Sequence, residues 1–407
     1  MTTAAGRTAG GAAAAPPGSW RLVAPALVVI AWGGNHFTPL LLLYRQVYGY
    51  SAVQVDLVFA FYVVGLVPGL LIAGPLSDRH GRRLVMLAGL ALGIAGSAVL
   101  AAGGSSVVVL CGGRLIAGAS VAAGMVVGTS WIKELSVAGG DPAAGARRAA
   151  LSVSAGFGIG PGVAGVLAQW GPAPAVTPYL VHIVLSAAAV PVLLRASQPA
   201  TPGQVRSLLG DLRVPRAARR RFRRVVLPMA PWVFAAPSLA FVLGPALLAG
   251  HAGPDRIAFA TLLTVVTLAC GTGVQPLLPW VARLARGRQA VLGLILVLIA
   301  TVLLAVNDVL LEPGWTVLAA ALFGTAYGIC IVSGLTEVQA MAGPDDLAGL
   351  TGIYYCLTYA GFALPVVLSA LAPVASFPVL LAIVAGTCLA CAAVVAGSLG
   401  RVPAEAA

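Results

Sequence analysis

Charged residues make up only 9% of this 407-residue chain, and 12 of them are acids; a soluble domain carries about 25%. An ordinary water-facing surface is therefore excluded. Lysine is almost missing as well, because all but one of the 24 basic residues are Arg, the exception being Lys133. Lys133 follows Ile132 and not a glycine, so the phosphate-cradling loop G-x-x-x-x-G-K-[ST] cannot be written anywhere, which excludes an ATP-driven pump. Four scattered histidines supply neither H-E-x-x-H nor another His/acid metal set. No metal, cofactor or enzymatic activity is expected. The six cysteines, Cys111, Cys270, Cys330, Cys356, Cys388 and Cys391, fall in apolar stretches, so no disulfide framework is expected. Cys388-x-x-Cys391 has a redox spacing but no His or acid beside it, and is read as packing.

What fills the chain is apolar: 59% hydrophobic residues and a mean hydropathy of +0.98. Windows of about 20 apolar residues recur, each able to cross about 30 Å of hydrocarbon as a helix, without the polar/apolar alternation of membrane strands. The expected fold class is all-α integral membrane, with twelve transmembrane helices near residues 22–44, 54–76, 84–103, 106–130, 150–170, 177–195, 225–249, 257–280, 289–307, 314–336, 350–372 and 376–399. Residues 1–20, small and Gly/Pro-rich, read as a disordered cytoplasmic tail and not as a cleaved signal peptide. With the N-terminus inside, 21 of the 24 basic residues lie on the cytoplasmic side, Arg45 and Arg256 lie outside, and Arg114 sits within a span. That bias predicts a multi-pass protein of the plasma membrane with both termini cytoplasmic. The preference for Arg, Ala and Gly points to a GC-rich bacterial genome.

The stretch 196–224 contains "RVPRAARRRFRR" (213–224), read as a basic cytoplasmic linker against anionic headgroups; no nucleic-acid partner is expected. It separates two six-span bundles, 21–195 and 225–400, and 401–407 forms a second tail. The halves share an offset of 206: Pro25 with Pro231, Pro39 with Pro245, Gly81-Arg82 with Gly287-Arg288, Gly118 with Gly324 and Gly128 with Gly334. Parallel repeats of this kind bind substrate near the membrane midplane, between the halves.

Three stretches carry chemistry. "GPLSDRHGRR" (74–83) sits between the second and third spans, where Gly74 and Gly81 allow a tight turn and Asp78 can exchange partners among Arg79, Arg82 and Arg83. "RLIAGASVAAG" (114–124) places Arg114 inside the fourth span, at a cost of about 2.5–3.5 kcal/mol on insertion scales, with Gly118 one turn away on the same face. The fifth span reads Gly156, Gly158, Gly160, Pro161, Gly162, Gly165; small residues four apart admit a close neighbour, and Pro161 removes a helix hydrogen bond. In this order they resemble three signatures of the major facilitator superfamily: the G-x-L-x-D-R-x-G-R-R/K loop, the R-x-x-x-G of helix 4 and the antiporter motif G-x-x-x-G-P-x-x-G-G, with Ala164 replacing one final glycine. The resemblance implies a two-bundle transporter working by alternating access. It implies a cytoplasmic gate at Gly74, Asp78, Arg79, Gly81, Arg82 and Arg83, with Asp78 facing the start of helix 11. It also implies helix-packing roles for Gly118, Gly156, Gly160, Pro161 and Gly165, and through the fifth-span motif the drug or metabolite exporter branch. An importer of a small organic solute is the alternative. The matching loop of the second half, "WVARLARGRQ" (280–289), has Leu284 where Asp78 would fall; the latch is expected to belong to the N-terminal half, its arginines meeting Asp345 and Asp346.

No acid lies clearly mid-membrane: Asp56, Asp308 and Glu337 fall near span ends. Asn35 lies about 20 Å from the inner start of its span and Arg114 about 12 Å from its outer start, so the two meet at similar depth. The expected coupling cluster is Asn35, His36 and Arg114, with His36 or Asp56 carrying the proton of a proton-coupled antiport. Trp32, Trp232, Phe234, Tyr327, Tyr354, Tyr355 and Tyr359, with the polar Asn35, Gln275 and Glu337, are expected to meet a small amphipathic organic substrate. The expected partners are that substrate, protons and the bilayer, and the expected state is a monomer.

Overall fold

The computed structural model describes residues 18–138, 140, 142–198, 214–216, 218–251, 253–342 and 347–399. Twelve helices among them are long and apolar enough to span a bilayer: α1 Ala24–Tyr48, α2 Ala52–His80, α3 Arg82–Ala102, α4 Val107–Val137, α5 Ala144–Trp170, α6 Thr177–Leu194, α7 Arg219–Leu247, α8 Gly253–Leu284, α9 Gln289–Leu310, α10 Pro313–Met341, α11 Gly349–Leu371 and α12 Phe377–Ser398. No strand occurs among the described residues. Local chemistry sets several ends. Ser51 and Gln54 form a reciprocal capping box at the start of α2, satisfying two orphan N–H groups. The expected break at 103–106 separates α3 from α4, where the Ser106 side chain caps the Val109 amide.

Two expectations about boundaries change. Arg219–Arg224, assigned from sequence to the linker, form the first turns of α7, because the apolar face of Phe222, Val225 and Val226 is already buried there. Gly74, read as part of a turn, lies inside α2; the chain turns at Gly81 alone, with φ of 88°. Most of the tails and of the linker lies outside the described residues.

Each half packs alike. In the first, α1 lies on α5 and α6, α2 on α4, and α3 on α4 and α6; in the second, α7 lies on α11, α8 on α10, and α9 on α10 and α12. The halves meet along two seams, α2 with α11 and α5 with α8, which a shift of six helices exchanges. Glycine explains the tight crossings, since apolar burial gives helices in lipid little drive to associate and close backbone approach replaces it. Gly118 abuts the α2 backbone at Tyr62 and Leu66, and Gly324 abuts the α8 backbone at Thr267. Gly65 and Gly271, also 206 apart, return those contacts against Leu115 and Gly324. The matched prolines sit where regular α geometry is interrupted: Pro39 in a 3-10 turn of α1, and Pro245 just after a π turn of α7. Large apolar side chains such as Leu57, Val64, Ile72, Val184 and Ile299 face outward, as lipid contact requires.

Candidate functional site

Between the halves lies a cavity of about 380 Å³, within the range of about 300–1,000 Å³ typical of small-molecule sites. Its deep wall is formed by Asn35, Tyr62 and Phe157 from the first half and by Phe234, Tyr327 and Tyr359 from the second. Phe234 stacks on Tyr359 at 4.3 Å and on Phe362 at 5.0 Å between centroids. Gln275 and Thr272 on α8, Thr129 on α4 and Tyr355 on α11 add hydrogen-bonding groups. The cavity reaches the end of the molecule that carries the arginines, where Lys133, Ala146 and Ala150 are exposed.

The opposite end is shut. Phe59 on α2 meets Phe362 on α11 edge-on at 5.1 Å, and the Ser369 hydroxyl donates to the Asp56 carboxylate across the same seam. At the other seam Gly165 receives the Thr261 side chain, while the Gln169 amide donates to the Pro254 carbonyl at 2.9 Å and accepts from the Ala258 amide at 3.1 Å. Toward the arginine-rich end the α5–α8 seam widens: a Cβ on Gly162 would touch Val265 at 3.5 Å, and one on Gly158 would touch nothing.

The loop motif forms a clamp within its own half. Arg82 donates through Nη1 to Asp78 and to Ser77, each at 2.9 Å, and through Nη2 to Glu134 on α4 at 2.9 Å. Arg83 donates to the Ala196 carbonyl at 2.6 Å, and Arg79 is exposed. The expected partners Asp345 and Asp346 lie outside the described residues. Glu134, which sequence reasoning passed over, is the acid that ties α3 to α4.

Arg114 is fully buried but does not line the cavity. Its guanidinium donates to the carbonyls of Gly34 at 3.1 Å and Phe59 at 3.4 Å and lies over the rings of Phe37 and Tyr62 at 5.0 and 4.6 Å. These π faces and dipoles take the place of a counter-ion. His36 lies beside it, whereas Asn35, the third member expected, faces the cavity. Asp56 belongs to the far seal and not to this cluster.

The aromatic residues sort by depth. Phe234, Tyr327, Tyr355 and Tyr359 line the cavity. Trp32 and Trp232 do not: both are buried in packing, Trp32 against Gly160 of α5. Tyr354 is turned away as well, its hydroxyl donating to the Ile331 carbonyl at 3.0 Å. Glu337, expected near substrate, is taken by Arg221 in a two-point ion pair of 2.8 and 3.1 Å, because a carboxylate at that end finds a guanidinium one helix away. The fifth-span motif serves two neighbours: Gly156 and Gly160 admit α1, and Gly165 admits α8. Pro161 lies within a helix that runs on through it. Among the residues missed, Ser369, Gln169 and His182 had no signal beyond their own polarity.

A family model for the Major Facilitator Superfamily matches residues 23–365. A chloramphenicol resistance protein of Pseudomonas aeruginosa is 24% identical over 362 residues, covering 83% of this chain and 82% of that protein. Among solved structures, a POT family transporter in complex with 5-aminolevulinic acid aligns with a TM-score of 0.77 at 11% identity, over 95% of this chain and 96% of that one. The nucleoside transporter NupG aligns with a TM-score of 0.71 at 14% identity, over 95% of this chain and 100% of that one. These two likenesses speak to fold. Paired six-helix bundles around a central cavity, matched by the family model over most of the chain, identify a multi-pass membrane transporter and not an enzyme: the chain belongs to the major facilitator superfamily.

Proposed function

We propose that this transporter exports a small amphipathic organic compound across the plasma membrane by alternating access, in exchange for protons. The observation that carries the reading is the cavity itself, an aromatic wall with a few polar groups, open at the arginine-rich end and sealed at the other. The positive-inside rule makes the arginine-rich end cytoplasmic, so the conformation is the one that loads from inside. The likeness to a chloramphenicol resistance protein supports export. On this reading both termini are cytoplasmic, the two bundles are α1–α6 and α7–α12, the second beginning at Arg219, and one chain completes the pathway. The loop around Asp78 and Arg82 acts as the cytoplasmic gate; among the described residues Arg82 is held by Asp78 and Glu134 of its own half.

The test is expression in an efflux-deficient bacterium, followed by chloramphenicol and dye accumulation in everted vesicles under an imposed pH gradient. Proton-driven accumulation in everted vesicles, with raised resistance of the cells, is expected. Uptake of solute coupled to inward proton flow in right-side-out vesicles would replace this reading with that of an importer.

A further inference from the structure

Inside the first half lies a buried polar group that does not line the cavity. His36 is wholly buried, and neither of its ring nitrogens has a hydrogen-bond partner among the described residues. Its ring lies 4.9 Å from that of His182 on α6 and 5.1 Å from that of Tyr179, centroid to centroid. His182 is buried too, but it is held at both nitrogens. Nε2 lies 3.0 Å from the Val29 carbonyl oxygen, which only accepts, so that nitrogen carries a hydrogen; Nδ1, 2.7 Å from the Ser97 hydroxyl, is then the acceptor in the neutral ring. Two imidazoles therefore lie side by side, one held at both nitrogens and one with neither nitrogen bonded among the described residues.

The surroundings decide what a proton does there. From α4 come Arg114, whose Nε also has no hydrogen-bond partner among the described residues, and Cys111; from α2, Tyr62 and, further toward the sealed end, Asp56, engaged with Ser369. From α6 come Tyr179 and His182, and from α1 itself Tyr44, bonded to the Tyr179 hydroxyl at 2.9 Å, with Arg45 one residue on. The facing polar residue of α3 is Ser97. Neither imidazole makes an ion pair with a carboxylate among the described residues. A proton on His36 thus places a second positive charge beside Arg114 in a pocket to which the described residues bring no paired counter-anion, an arrangement that buried charges do not tolerate.

We propose that His36 and His182 are the proton-carrying site of the transport cycle, with His182 positioned by Val29 and Ser97 and His36 the ring that binds and releases the proton. The inference rests on the proton-exchange reading above. The proton adds to the lone pair of the unprotonated His36 nitrogen and leaves from the same atom to water; no other bond changes. Because the protonated pair is disfavoured in the arrangement with the arginine-rich end open, binding of a proton shifts the population toward the opposite conformation, and return to this one expels it. The geometric link is short: Arg114 holds the carbonyl of Phe59, and the Phe59 ring meets Phe362 in the seal.

The experiment needs no substrate. Spin labels are placed at Lys133→Cys and Leu335→Cys, on the two walls of the open mouth, in full-length protein with its native cysteines replaced and reconstituted in lipid. Pulsed-EPR distances are measured between pH 8 and pH 5. Acid is expected to shift the distribution toward shorter distances, closing the mouth, whereas His36→Gln and His182→Gln each keep the pH 8 distribution throughout. Ser97→Ala, which leaves both rings in place, is expected to move the midpoint of the response by a measurable fraction of a pH unit or more. The proposal is overturned if the parent does not respond, if either histidine variant responds like the parent, or if Asp56→Asn abolishes a response that either of them retains. Should a histidine variant fail to fold, an unmoved midpoint in Ser97→Ala overturns it equally. A pH response without chloramphenicol or dye export would sink the export reading and leave this one standing.

Discussion

Asp56 on α2 accepts a hydrogen bond from the Ser369 hydroxyl on α11, joining the two halves across 313 positions of sequence at the end away from the arginines. Both residues border a small cavity that Arg45 also lines. A hydrogen bond to a charged group contributes about 1.5–3 kcal/mol, and a buried acceptor left without its donor incurs a comparable desolvation cost. Ser369→Ala is therefore expected to loosen the seal. In cysteine-free protein carrying Val242→Cys, labelling by a membrane-impermeant maleimide from the sealed side should rise several-fold; an unchanged rate would show that the other contacts of the seal hold it without this bond.

The glycines make a graded prediction about stability. A methyl group at Gly118 would press on the α2 backbone and one at Gly324 on the α8 backbone, whereas one at Gly158 meets open space. Gly118→Ala and Gly324→Ala should each lower stability by about 1–3 kcal/mol or more through overpacking. Gly158→Ala should be neutral or slightly stabilising, by up to about 1 kcal/mol of helix propensity. Thermal unfolding in detergent checks the ranking, and similar losses for the first two would bear out the repeat energetically.

Arg114 serves packing through charge, because its contacts are two carbonyls and two aromatic faces. Lysine offers a point charge without the planar fork. Arg114→Lys should therefore reduce transport at least tenfold and lower the melting temperature by several degrees, with Arg114→Ala worse on both counts. A lysine variant with wild-type transport would mean that charge alone suffices.

The cavity assignments separate two residues that composition treats alike. Tyr359→Ala removes a ring stacked on Phe234 in the cavity wall; aromatic pairs contribute about 0.5–1.5 kcal/mol beyond area burial, so the apparent KM for transport should rise by about threefold to tenfold. Glu337→Gln breaks only the ion pair with half-exposed Arg221, for which about 1 kcal/mol or less is expected, with KM unchanged. A raised KM in Glu337→Gln would return that acid to the substrate path.

Much was legible before any coordinates, and the reason lies in range. The twelve spans follow from hydropathy within each helix, the turn at Gly81 from its own backbone freedom, and the repeat from matched glycines and prolines that turn out to make matched contacts at Gly118 and Gly324. Aromatic residues could be gathered as a class, but helical phase relative to neighbours divides Tyr355, in the cavity, from Tyr354, one residue earlier and turned into packing.

Sequence alone determined that this chain is a helical membrane transporter of two related halves, because lipid imposes on every span the same local demand for apolar side chains and satisfied backbone. Only the tertiary structure decided which polar residues meet: Arg82 with Glu134, Arg221 with Glu337, Asp56 with Ser369, His36 with His182. It also decided which end of the cavity is open. Partnerships between distant helices leave no periodic mark on either segment. A buried polar group must find its partner wherever packing brings one, and packing depends on the whole chain.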